Sequence, residues 1–247
     1  MKHLTDIVSF LWFLFVFYIP CSYIFPIPLI MLATIEDILS FPKIINTLYT
    51  SFVIKFPLRT QYNIINPNKR ITSGIIISNH ESGFDNIYDS HVTNSILIAD
   101  AKIKWYHGLY YLLQNISRQV YVFDKKNTNR HTLYSSMKTI YNSTSNYIPR
   151  MLFYPEGTRV KEKYHSVEHL RKNIKYGLLK SIYENKDYPV QLFISKNKDN
   201  SFINKTCGIN HVVSIYSNVF IQQDFDSFDH FVNEITQEWI NCLEVLK

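Results

Sequence analysis

The pattern of apolar and polar positions changes character twice along the chain. From Ile7 to Ile35 no residue is charged, and Val8 to Ile19 is apolar on every side. A helix resting on a water-soluble core shows one apolar face instead. These 29 uncharged residues exceed the roughly 20 needed to span a bilayer. Pro20, Pro26 and Pro28 each break or kink a helix. The segment therefore predicts either one kinked span or a helical hairpin dipping into one leaflet. Residues 38–56 are rich in Ile, Leu and Phe, with only Lys43 and Lys55 charged, and fit a second, interfacial arm. A membrane anchor over 1–58 and a globular domain over 59–247 follow.

Beyond Pro67, short apolar runs alternate with longer amphipathic ones. Strands are predicted at Gly74–Ser78, Ser95–Ala99, Val120–Phe123, Met151–Tyr154, Val190–Ile194 and His211–Tyr216. Helical spacing marks 129–146, with Asn129 as a cap, and 169–183. In the tail Phe228, Phe231, Val232, Ile235, Trp239, Leu243 and Leu246 share one helical face. Alternating strands and helices imply an α/β fold with a mixed, largely parallel sheet flanked by helices.

Composition changes this picture little. A chain of 247 residues, 46% of them hydrophobic, supports one domain with a substantial core. Cys21, Cys207 and Cys242 are odd in number and far apart, which fits neither a disulfide framework nor a metal spacing. A reducing, cytosol-facing domain is expected, and Lys43, Lys55 and Arg59 point the same way by the positive-inside rule. Charge says more. Residues 101–180 carry fifteen Lys and Arg against four Asp and Glu, a local net of +11 within an overall +6. Such a field suits an anionic membrane, phosphorylated ligands or nucleic acid. No nucleic-acid-binding motif accompanies it, so nucleic acid is not an expected partner. Lys161, Lys163, Lys186 and Lys198 read as solvated lysines.

Two strings carry chemistry. Asn79-His80-Glu81-Ser82-Gly83-Phe84-Asp85 holds an HxxxxD, and Phe153-Tyr154-Pro155-Glu156-Gly157-Thr158-Arg159 an FxPEGTR. HxxxxD alone is weak, whereas PEGTR fixes five consecutive positions. In this order they resemble the glycerolipid acyltransferases, the family of 1-acylglycerol-3-phosphate O-acyltransferase. The resemblance extends over about residues 70–195. Val122-Phe123-Asp124-Lys125 matches a second block ending in a basic residue, and Ile174-Lys175-Tyr176-Gly177 with Pro189-Val190 matches the last block. Lys125 replaces the usual Arg, Gln119 the usual Gly, and Asn86 follows Asp85 where many relatives carry an aromatic. Lys keeps the charge but loses the planar fork that grips a carboxylate or phosphate.

The resemblance implies transfer of a fatty acyl group from acyl-CoA, a co-substrate, to the free hydroxyl of a lysophospholipid, with lysophosphatidate first among acceptors. No other cofactor and no metal is expected. A lipid hydroxyl is a poor nucleophile near neutral pH and needs a base such as His80. Asp85 would fix the imidazole tautomer and stabilise the imidazolium. Five residues along a continuous helix separate two side chains by about 140°. The chain must therefore turn between them, and Ser82-Gly83 allows it. Gly157 permits a tight turn with exposed N–H groups, Arg159 and Thr158 offer donors to a phosphate, and Lys125 adds charge there. Glu156, an anion, would orient Arg159, bond a glycerol hydroxyl or take the turn's own N–H groups. Other headgroups, a transacylase, or a non-catalytic lipid-binding protein remain open at this point.

Overall fold

The computed structural model describes residues 15, 19–38, 48–51, 61–65, 71–81, 85–116, 119–144, 150–157, 164, 166–196, 198, 212–220 and 225–246. Its described strands form one seven-stranded sheet. They are β1 (Gln61–Ile65), β2 (Gly74–Ser78), β3 (Ser95–Asp100), β4 (Val120–Phe123), β5 (Arg150–Phe153), β6 (Val190–Lys196) and β7 (Val212–Phe220). Their spatial order is β1-β7-β6-β2-β5-β3-β4. Every neighbouring pair is parallel except β6 with β7. The sheet is thus mixed and largely parallel, as the alternation predicts.

The central strands show why. β2 is buried along its whole length, the condition for a parallel strand covered on both faces. Side chains alternate across it. Ile75 and Ile77 join Met151, Phe153, Leu192 and Ile194 in one core, while Ile76 joins Leu152 and Phe193 in the other. The larger core is closed by α4 (Arg130–Thr144), α5 (Val167–Asn173), α6 (Tyr176–Asn185) and α7 (Phe228–Val245). On the opposite face, α2 (Asp85–Thr93) and α3 (Ile103–Ile116) contribute Val92, Ile103 and Tyr111.

Several elements follow local chemistry closely. Asn129 Oδ1 accepts the Thr132 N–H at 2.9 Å, capping α4 as expected. The Ser227 side chain does the same for α7 through His230 N–H. On α7, Phe231, Val232, Ile235, Trp239 and Cys242 are buried, so the predicted stripe includes the cysteine as well. Strand β1 and the two helices α2 and α3 were not marked by the pattern. The predicted single helix at 169–183 is corrected to two. Ile174 is extended (ψ 140°) and ends α5, and α6 starts after Lys175. The break is stabilised from outside the segment: Ile174 is buried in the core, and Lys175 N–H bonds Pro155 O at 2.7 Å.

Two of the three N-terminal prolines fall at helix starts, whereas Pro28, also expected to break helix, lies within the first turn of the helix that Pro26 opens. Pro20–Ile24 is a π-helical turn and α1 (Pro26–Ile38) begins at the next proline. Both pack on α3. The π-helical turn comes close at Gly108 (φ +52°), where a Cβ would stand 2.5 Å from the Tyr23 ring. The expected bilayer span is not found: no helix among the described residues is long and apolar enough to cross a membrane. Most of Val8–Ile19, and most of the second arm expected at 38–56, lies outside the described residues.

Candidate active site

Sheet register creates the site. Ile77 of β2 pairs with Phe153 of β5 in parallel. Three residues further along each strand stand His80 and Glu156, so the two motifs meet beyond the strands' C-terminal ends, where α/β sites form. The junction is direct. Glu156 Oε2 accepts the His80 backbone N–H at 2.5 Å, and its Oε1 accepts the Tyr164 hydroxyl at 2.8 Å. Glu156 thus clasps the two motif loops together, a role beyond the three expected for it; Arg159, one of the expected partners, lies outside the described residues. Its two donors favour the carboxylate, but burial outweighs them and raises its pKa to about 8. The nearby negative charge of Asp85 adds to the rise.

Asp85 opens α2 and is fully buried. Its Oδ2 lies 3.0 Å from His80 Nδ1 and accepts the Glu81 N–H at 2.5 Å. The expected meeting of His80 and Asp85 is therefore present. Ser82 and Gly83, assigned the turn between them, lie outside the described residues. With Nδ1–H donated to Asp85, the imidazole lone pair sits on Nε2. The ring stacks on Tyr154 (centroids 4.6 Å apart, planes 18° from parallel), and its side chain remains 23% exposed. An imidazole held at Nδ1 and partly exposed has the geometry a general base needs.

Asn79 anchors this loop to the neighbouring strand. Its Nδ2 donates to Ser195 O at 2.8 Å, and its Oδ1 accepts Ser195 N–H at 2.9 Å. Behind the dyad lies an ionic cluster that the sequence reading missed. Lys198, expected to be solvated, is completely buried. Its Nζ donates to Asn79 O and Asp89 Oδ2, each at 2.8 Å, and lies 3.6 Å from Asp85 Oδ2. The Asp89 carboxylate also accepts from Ser78 Oγ at 2.9 Å and Tyr154 Oη at 3.0 Å. Burial pushes the Asp89 carboxyl up, against the pull of Lys198. Burial works against the Lys198 charge, but Asp85 and Asp89 reverse it and raise the lysine above its ordinary value. One signal was available. Asp85 and Asp89 are four apart on a helix, a like-charge neighbour pair that calls for a cation.

At the second motif, Gly157 has φ +70° and donates its N–H to Tyr154 O at 3.0 Å, so the expected tight turn is present. Gly157 itself is exposed, while Pro155 and Glu156 before it are buried. A Cβ built on Gly157 would lie 3.8 Å from Lys125 Nζ and 3.6 Å from Lys175 Cγ. Lys125, expected near this turn, is there, and Lys175 from the break between α5 and α6 joins it. Thr158 and Arg159 lie outside the described residues.

A base–carboxylate pair and a basic glycine turn on adjacent parallel strands are the parts an acyl-transfer site needs. The acyltransferase family model matches residues 61–192, more than half of the chain. The chain belongs to the acyltransferase family. No curated protein matches it. Among solved structures, this acyltransferase resembles the 1-acyl-sn-glycerophosphate (LPA) acyltransferase PlsC from Thermotoga maritima, with a TM-score of 0.68. The match covers 99% of this chain and 98% of that one at 13% identity. At that identity the likeness establishes a shared fold.

Proposed function

We propose that the protein transfers a fatty acyl group from acyl-CoA to the free hydroxyl of a lysophospholipid, with lysophosphatidate as the favoured acceptor and phosphatidic acid as product. The single observation carrying this reading is the 3.0 Å contact between His80 Nδ1 and the buried carboxylate of Asp85. His80 Nε2 takes the proton of the acceptor hydroxyl as its oxygen attacks the thioester carbonyl. Asp85 stabilises the resulting imidazolium. Collapse of the tetrahedral intermediate breaks the C–S bond. The thiolate leaves readily, having a pKa of about 8.5, and takes up the proton from His80. Lys125 and Lys175 beside Gly157, together with Thr158 and Arg159 of the same motif, bind the acceptor phosphate. The Thermotoga maritima protein, named for a phosphorylated acceptor of this kind, supports that choice.

The enzyme works at a bilayer surface, with its catalytic domain toward the cytosol. In and next to the π-helical turn, Tyr23, Ile24 and Phe25 are exposed, as are Ile27, Met31 and Leu32 on α1. Adjacent exposed apolar side chains of this kind favour an interface with lipid. The test is acyl transfer from radiolabelled oleoyl-CoA to a panel of lysophospholipids, comparing wild type with His80→Ala. Phosphatidic acid made by wild type alone is the expected result. A different preferred acceptor would keep the chemistry and change the headgroup. No transfer to any acceptor, with equal vesicle binding by both proteins, would replace catalysis by lipid binding.

A further inference from the structure

Acyl transfer at His80 needs one carboxylate behind the imidazole, and this site holds two, with a lysine between them. Asp89 follows Asp85 by one helical turn on α2. Both are buried, and so is Lys198 just past β6. A buried lysine is costly to desolvate and is tolerated as a charge only among compensating partners. Here the direct partner is Asp89 at 2.8 Å, with Asp85 at 3.6 Å. Asp89 is held further by Ser78 and Tyr154, and the Tyr154 ring both stacks on His80 and lies under the Lys198 ammonium at 5.8 Å.

Charge counting gives this cluster a purpose. Lys198 cancels one of the two carboxylates. Since it bonds Asp89 more closely, the uncancelled negative charge rests on Asp85, whose Oδ2 faces His80 Nδ1. The groups facing Asp85 and Lys198 are His80 and Glu81 after β2, Asp89 on α2, Tyr154 and Glu156 after β5, and Tyr164 through Glu156. Among them Lys198 is the cation whose position does not depend on turnover.

We propose that Lys198 and Asp89 are a positioning pair for the dyad: the lysine neutralises Asp89, leaves Asp85 as the uncancelled carboxylate of α2 against His80, and so sets the pH range over which the base works. This rests on the acyl-transfer reading above. Without Lys198, two buried carboxylates share the site and hold a proton to higher pH. Without Asp89, Lys198 has Asp85 as its remaining carboxylate, and the imidazolium loses its counter-charge. Removing both restores a single carboxylate and no cation, the same net charge as wild type.

The experiment measures kcat for acyl transfer against pH in wild type, Lys198→Met, Asp89→Asn and the double variant, with folding checked by circular dichroism melts. Lys198→Met is expected to move the acid limb up by about one pH unit, and Asp89→Asn to move it down by a similar amount. At pH 7, Lys198→Met should lose about tenfold or more in kcat, and the double variant should return to within about threefold of wild type, its acid limb realigned. A merely structural pair would give losses that multiply in the double variant and acid limbs that stay put, which would overturn the proposal. If Lys198→Met does not fold, the upward shift from Asp89→Asn to the double variant decides the matter, and coincident limbs there overturn it. A wild type inactive toward every acceptor would bring down the acyl-transfer reading and this inference with it. An active wild type with unchanged profiles would bring down this inference alone.

Discussion

The charges gathered behind the first motif loop and the lysines gathered beside the second are held in opposite ways. At the first, Asp85, Asp89 and Lys198 are all buried. At the second, Gly157, Lys125 and Lys175 are exposed. Charge sealed from water acts over short distances and fixes geometry, because the local dielectric is low and each group must be satisfied. Charge in water acts as a field that salt screens, within about 10 Å at 0.1 M ionic strength. The buried half therefore suits orientation of a base. The exposed half suits capture of an anionic headgroup whose position can vary.

Substitutions should split along that line. The largest effect is expected from His80→Ala, which removes the base and should lower kcat by about 10³-fold, within the range general-base catalysis contributes together with its oriented geometry. A loss under tenfold would move the base elsewhere. Gly157→Val comes next. At φ +70° a branched side chain is strained by about 1–2 kcal/mol, and the reshaped turn should raise KM for the acceptor about tenfold, with kcat less affected. Smaller still is the pair Lys125→Ala with Lys175→Ala. The double variant should raise KM by about three- to tenfold at low salt, and the gap from wild type should shrink at high salt. A salt-independent gap would mean that these lysines contact the headgroup through a desolvated pair instead of a field.

The smallest expected effect sharpens the comparison at the clasp between the halves. Glu156 titrates at about 8 in the fold, against 4.5 for an ordinary glutamate. A carboxyl whose pKa is raised by folding stabilises the native state fully below its unfolded pKa, and that contribution fades as pH climbs toward the folded value. Stability credited to Glu156 should therefore decline from about pH 4.5 to 8. Glu156→Gln removes the ionisation, so its melting temperature relative to wild type should rise by a few degrees between pH 6 and 9. A constant difference across that range would show that burial of Glu156 contributes no pH-dependent stability there.

Much of the fold was legible because it rests on local pattern. The strand runs at Gly74–Ser78 and Val120–Phe123 were read to their observed ends. Asn129 was identified as a cap from residue type alone, and the α7 stripe from spacing. The failures share a cause. A break at Ile174-Lys175 is invisible to periodicity, since the carbonyl that stabilises it belongs to Pro155. Gln61–Ile65 carries Gln and Asn among its five residues, and pairing with β7, 151 residues further along the chain, makes it a strand.

The site divides likewise. The two motifs, through their resemblance to the glycerolipid acyltransferases, pointed to His80 and Asp85, to the glycine turn and to Lys125 as a basic partner. The sequence by itself thus determined the α/β alternation and the two motifs that mark the family. Tertiary structure alone decided that Glu156 clasps the loops, that Lys175 joins the basic turn, and that Lys198 lies beneath the dyad. Each of those roles depends on what packs against a side chain from another strand, and a lysine in water and a lysine sealed between two aspartates are written with the same letter.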